Sequence, residues 1–206
     1  MNTKNFPMKM VVMCMICIII ICSGCVQDPE ISPHPNLQSI ENENASNMEE
    51  QAMLSNNFKK LTDAEKASLW FMAEEEKLAG DVYNYMFELY GMQIFQNIYF
   101  SEIDHVNAVA HLLEKRGLWN PNDAHGPGVF FNEELQLLYN NLILQGSLSA
   151  SEAIAVGVII EETDLEDIQY YLDYVAESKD IVKVYENLLA GSESHLDSFL
   201  SQQELR

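Results

Sequence analysis

From Leu61 onward the apolar residues of this chain recur every third or fourth position, the period of an amphipathic helix. Thr62 followed by Glu65 forms a capping box. The helix it opens runs to about Tyr90, and Gly91 is the natural residue just past its end. A second helix runs from about Ile94 to Arg116 and stops at Gly117. The breaker-rich stretch "WNPNDAHGPG" follows. Asn132 then caps a short helix, "EELQLLYNNLILQ", which ends at Gly146. Ser149 with Glu152 makes a second capping box and opens a long helix to about Ala176. A last helix begins near Asp180 and ends near Gln202. No useful length of the chain alternates with period two, so strands are not expected. The predicted fold is all-α. Four long helices form a bundle of two antiparallel hairpins, joined by a long crossover that carries the short extra helix.

The apolar stripes are interrupted. The first long helix reads Leu69, Met72, Glu76, Ala79, Tyr83, Met86, Tyr90 along its face. The second reads Phe95, Ile98, Glu102, His105, Val109, Leu112. The third reads Ile154, Val158, Glu161, Leu165, Ile168, Leu172, and the last Ile181, Tyr185, Leu188, Ser192, His195, Phe199. A carboxylate buried alone costs several kcal/mol or becomes protonated. Three carboxylates and two imidazoles converging on one core therefore call for a compensating cation. A di-metal centre fits, with carboxylates bridging two ions and an imidazole completing each coordination sphere. In the first helix "AEEEKLAGDVY" offers Glu74, Glu75 and Glu76. Glu76 ranks first and Glu75, on an adjacent stripe, second. His111 is expected on a helix flank and His125 in a loop, away from the centre. The acidic run "ETDLEDI" reads as a mostly solvated face.

The beginning of the chain has a different character. Lys4 and Lys9 precede the apolar run "MVVMCMICIIIIC", which ends in "SGC". Residues 1–24 read as a lipoprotein-type signal peptide with Cys25 as the lipidated residue; the other reading of the same run is an uncleaved membrane anchor. Cys14, Cys17 and Cys22 lie inside the signal, so Cys25 is the single thiol that remains and no internal disulfide forms. Residues 25–60, with "PEISPHPN" and little hydrophobic period, read as a flexible polar tether. Residues 61–206 are the bundle. The expected location is outside the cell, held at the outer face of the membrane. The net charge of -21 excludes nucleic acid as a partner and favours solubility and the attraction of cations.

The motifs "EEEKLAGDVY", "SEIDHVNAV", "IIEETDLEDI" and "VYENLLAGSESHLDSF" together resemble an uncharacterised ferritin-like family, distantly similar to rubrerythrin and the ferritins. The resemblance spans about Leu61 to Gln202. It implies a ferritin-like four-helix bundle. It also implies a site built from Glu76, the Glu-x-x-His of Glu102 and His105, Glu161, and His195. Ala79 and Tyr83 fit the family's register when counted from Glu76. One position departs, because Ser192 stands where the second Glu-x-x-His needs its Glu. Asp164, one turn beyond Glu161, is the candidate replacement. The implied cofactor is a pair of iron ions, with manganese as the alternative. The implied chemistry is iron oxidation, peroxide reduction or electron transfer. No rubredoxin-like Cys pair is present, so an electron donor or oxidant would be external. The alternative is a non-enzymatic helical module at the cell surface, with a structural metal or none. A homodimer is left open.

Overall fold

The structure, a computed structural model, describes residues 60–204. The signal-like segment, Cys25 and nearly all of the tether lie outside the described residues. Within them the fold is all-helical, with five α-helices and no strand. These are α1 (Asp63–Tyr90), α2 (Gln93–Lys115), α3 (Glu133–Gly146), α4 (Ala150–Tyr174) and α5 (Lys179–Glu204), with a 3₁₀ turn at Pro121–Ala124. Among the described residues no helix is long and apolar enough to cross a membrane.

Local chemistry sets the helix ends. The Thr62 hydroxyl accepts from the Glu65 N–H at 3.0 Å, and the Glu65 carboxylate accepts from the Thr62 N–H at 2.9 Å, completing the expected box. Gly91 closes α1 at φ 64°, in the left-handed region that glycine adopts without steric cost, and the chain reverses into α2. The second box is only half made. Ser149 accepts from the Glu152 N–H, but the Glu152 carboxylate takes its hydrogen bond from Gln145 instead, which ties α4 to the end of α3.

Helix α1 packs along α2, and α4 along α5. The pairs meet through α2 against α5 and α1 against α4, while α3 rests on α1 and α4. Three of the four expected stripes are buried nearly as read; in α5 the buried set is Ile181, Tyr185, Leu188, Ser192, His195 and Phe199. The α4 stripe needs correction. Its buried face is centred on Ile154, Gly157, Ile160, Glu161, Asp164 and Ile168, while Val158, Leu165 and Leu172 are only half-buried. Contacts with α1 and α3 as well as α5 rotate and widen the buried sector. "ETDLEDI" is accordingly not a solvated face throughout, since Asp164 is buried and Asp167 half-buried.

Two apolar clusters fill the interior. Tyr83, Met86, Phe95, Ile154, Ile160 and Phe199 belong to one, with the Tyr83 and Phe199 rings 5.2 Å apart. Leu69, Met72, Val109, Ile168, Ile181 and Tyr185 belong to the other. In every long helix the polar interruption falls between the residues given to the two clusters, so the buried polar groups form a belt between two dry layers.

The crossover is fastened to α1. Both oxygens of Glu74 accept backbone N–H groups, from Phe131 and from Asn132 at 3.0 Å, at the start of α3 where a helix favours negative charge. Asn122 donates to the Ala73 carbonyl at 2.6 Å, and Trp70 to the Trp119 carbonyl at 2.9 Å. At the opposite corner, Asp180 pairs with Arg116 and Lys115, joining α2 to α5.

Glu65 reaches beyond its own cap. Its other oxygen accepts the Glu177 and Ser178 N–H groups at 3.1 and 2.8 Å, fixing the turn before α5. Burial pushes this carboxyl up, but hydrogen bonds from Thr62, Ser178 and Glu177 outweigh burial and hold it below its ordinary 4.5. Glu65→Ala leaves these N–H groups without their acceptor, and a loss of about 2–4 kcal/mol in urea unfolding is expected. The lowered folded-state pKa makes the carboxylate's contribution complete above the unfolded value of 4.5. It is lost as pH falls through the lower folded value. The stability gap between wild type and Glu65→Gln should therefore narrow below about pH 4.

Candidate metal centre

The three consecutive glutamates of α1 point to three different tasks. Glu74 is used by the crossover. Glu75 turns toward Asp164 and Asp167 on α4. Glu76 turns toward α2, where its Oε2 lies 3.1 Å from His105 Nδ1.

Glu102 is the centre of the belt. It is 2% exposed and divides its two oxygens between the two imidazoles. Its Oε2 lies 2.8 Å from His105 Nδ1 and its Oε1 lies 2.9 Å from His195 Nδ1. Ligand atoms of Glu102, His105 and His195 all lie within 4.8 Å of one another, a grouping able to hold a metal ion. The two rings face each other at 5.4 Å. Glu161 flanks the far side, with Oε2 3.5 Å from His195 Nδ1, and its Oε1 accepts from the Tyr83 hydroxyl at 2.5 Å. The order across the belt is Glu76, His105, Glu102, His195, Glu161.

The resulting arrangement is nearly two-sided, and it breaks where Ser192 replaces a carboxylate. The Ser192 hydroxyl donates to Asp164 Oδ2 at 2.5 Å and also reaches the Leu188 carbonyl. Asp164 thus brings a carboxylate from α4 to the place where α5 supplies none.

Charge in the belt is out of balance. Burial opposes charge on His105, but hydrogen bonds to Glu102 and Glu76 win and push it up to about 11. Burial likewise opposes charge on His195, and the neighbouring Glu102 and Glu161 carboxylates push it up to about 9. Burial pushes Glu102 up, but the two histidines outweigh it and the carboxyl falls to about 2. Glu76 and Glu161 are raised by burial to about 7. Glu75 and Asp164 are raised well above the carboxylate range, by burial first, then by the charge of Asp164 at Glu75 and of Glu76 at Asp164. Two imidazoliums cannot neutralise this many carboxylates, so protons are retained. Several polar atoms also stay without hydrogen-bond partners, among them Glu76 Oε1, Asp164 Oδ1 and Glu75 Oε2. His195 Nδ1, although close to Glu102 Oε1, lacks the alignment of a hydrogen bond. Buried oxygen and nitrogen donors in this state suit a divalent cation.

Residues 65–206 match the family described as "Uncharacterized protein domain (DUF2202)". The chain belongs to the DUF2202 family. It is also similar to the uncharacterised protein MJ0754 of Methanocaldococcus jannaschii, at 39% identity over 140 residues, covering 68% of this chain and 75% of that protein. The crystal structure of hypothetical protein MJ0754 has a TM-score of 0.69 and 38% identity, covering 71% of this chain and 83% of that one. Glu76, Glu102, His105, Glu161, Asp164 and His195 all fall inside the DUF2202 match, whereas Cys25 lies outside it.

Two residues of this site, Ser101 and Gly191, carry no sequence signal of their own, whereas Tyr83 is legible as a core position in register with Glu76. Ser101 contacts His195 Nε2 at 2.9 Å and orients the ring so that Nδ1 faces Glu102. Tyr83 holds Glu161, a task added to its place in the core. Gly191 leaves the space that His105 occupies, since a Cβ there would stand 2.5 Å from His105 Nε2. His111, on its helix flank, and His125, at the end of the 3₁₀ turn, stay apart from the belt. Gly191→Ala should displace the His105 ring, and if the triad takes a divalent ion the variant should bind it about 10–100-fold more weakly. Cobalt(II) titration followed by visible absorption checks this, with urea unfolding as the control for fold.

Proposed function

We propose that this protein is a ferritin-like four-helix-bundle protein holding a di-metal centre, with iron as the metal and manganese as the alternative. The single observation that carries the reading is the divided carboxylate of Glu102, one oxygen to each histidine Nδ1. A carboxylate placed so is suited to bridge two ions, each with its own imidazole. Glu76 would serve the His105 side, Glu161 the His195 side, and Asp164 the position left by Ser192. Four carboxylates, Glu76, Glu102, Glu161 and Asp164, balance two divalent cations once both histidines are neutral. The pairing of α1 with α2 and α4 with α5 across a long crossover supports the bundle topology.

Bound iron would supply one-electron chemistry toward dioxygen or peroxide. The chain's own part is to position and to exclude. The two apolar clusters keep bulk water from the belt on both sides. Tyr83, Ser101 and Ser192 fix Glu161, His195 and Asp164. The electron donor or final oxidant would be external. The protein would act outside the cell, tethered by a lipid on Cys25.

One observation favours a second reading. Glu102 already satisfies both histidines as ion pairs, so the belt also closes as a polar network inside a non-enzymatic surface module. Elemental analysis of the full chain, purified in detergent under reducing conditions, separates the two. About two iron or manganese ions per chain, lost in His105→Ala and His195→Ala, are expected for the metal centre. No metal above background, with both variants less stable than wild type, would establish the second reading instead.

A further inference from the structure

Between α1, α3 and α4 lies a crevice of about 10 Å³, space for a single water-sized particle. Its walls are apolar, including Leu138, Leu142 and Ile160, and Glu75, Thr163 and Asp164 interrupt them. Glu75 and Asp164 are each 5% exposed. Each keeps one oxygen without a hydrogen-bond partner, Oε2 on Glu75 and Oδ1 on Asp164. Asp164 spends its other oxygen on Ser192, one turn before His195. It therefore belongs to the crevice and to the belt at once. Glu75 also faces half-buried Asp167, one turn along α4 from Asp164.

We propose that this crevice is the passage by which a small divalent cation reaches the belt, with Glu75 in its wall and Asp164 handing the ion on. The inference rests on the metal-centre reading. An arriving ion displaces the protons these carboxyls retain, and the low-dielectric walls then strengthen its attraction to them. A hard cation that sheds water needs replacement oxygen ligands along its way. The two unpartnered carboxylate oxygens supply them, and nothing in the fold of α1 or α4 uses these atoms. The chain's net charge of -21 draws cations toward the surface from which they enter. The passage also accounts for Glu75, which faces α4 and not the two histidines.

The test is the rate of cobalt(II) uptake by the metal-free full chain, followed by stopped-flow visible absorption. Ile159 lines the crevice and is 37% exposed, so Ile159→Trp narrows the passage without opening the core. Uptake should slow about tenfold in Ile159→Trp and in Glu75→Gln, and high salt should slow wild type in the same direction. The final cobalt spectrum of Ile159→Trp should equal that of wild type, which also shows that the variant is folded. Wild-type rates in both variants would overturn the passage and leave the metal centre standing. A lower number of bound ions in Glu75→Gln, taken up at the wild-type rate, would make Glu75 a ligand and overturn its role here. No cobalt uptake by wild type would overturn both readings together.

Discussion

A carboxylate held between two imidazoles in a dry interior is the contact on which the rest of this molecule depends. Glu102 lies between two apolar clusters, where an isolated charge would cost several kcal/mol. It stays ionised because both histidines face it through Nδ1. Those histidines come from α2 and α5, so a single side chain fixes the separation of two helices. Removing either imidazole leaves charge in the interior without compensation, the situation that proteins tolerate least. The apolar clusters on either side gain from the same contact, since Phe95 and Phe199 on one side and Val109 and Leu188 on the other are brought together by the helices it joins.

Around that contact the fold provides precision at low local cost. Ser101 and Ser192 are small hydroxyl residues that hold a ring and a carboxylate without filling space. Gly191 contributes by having no side chain where the His105 ring lies. The crossover, fastened to α1 through Glu74, Ala73 and Trp70, covers the side of α1 that neither α2 nor α4 reaches. Its attachment also holds α3 against α4 and so shapes the apolar wall beside Glu75 and Asp164.

The asymmetry of the belt separates two demands. A two-sided set of ligands would take one carboxylate from each motif of α2 and α5. Here α5 offers Ser192, and α4 supplies Asp164 through a short hydrogen bond to it. A carboxyl group therefore stands beside Ser192, supplied by α4 and not by α5. Under the proposed metal-centre reading, the Asp164 side is then the more open one, because the same residue lines the crevice.

The sequence by itself determined the helices, their caps and the heights at which polar residues interrupt the stripes. These follow from a local period, from capping chemistry and from where Gly91 lets the chain reverse. Glu76, Glu102, His105, Glu161 and His195 were legible for that reason: each sits on its helix at a position that period assigns to the interior. Only the tertiary structure decided how the acidic runs are divided. Successive residues on a helix point about 100° apart, so Glu74, Glu75 and Glu76 sweep most of the circumference and only neighbouring elements select among them. The same holds for Asp164 over Leu165, where contact with three helices turned α4 away from its simple stripe. The split of Glu102 between two rings and the emptiness at Gly191 are relations between helices distant in sequence. No periodicity along one chain segment encodes them, because each is fixed by a partner that arrives only when the helices pack.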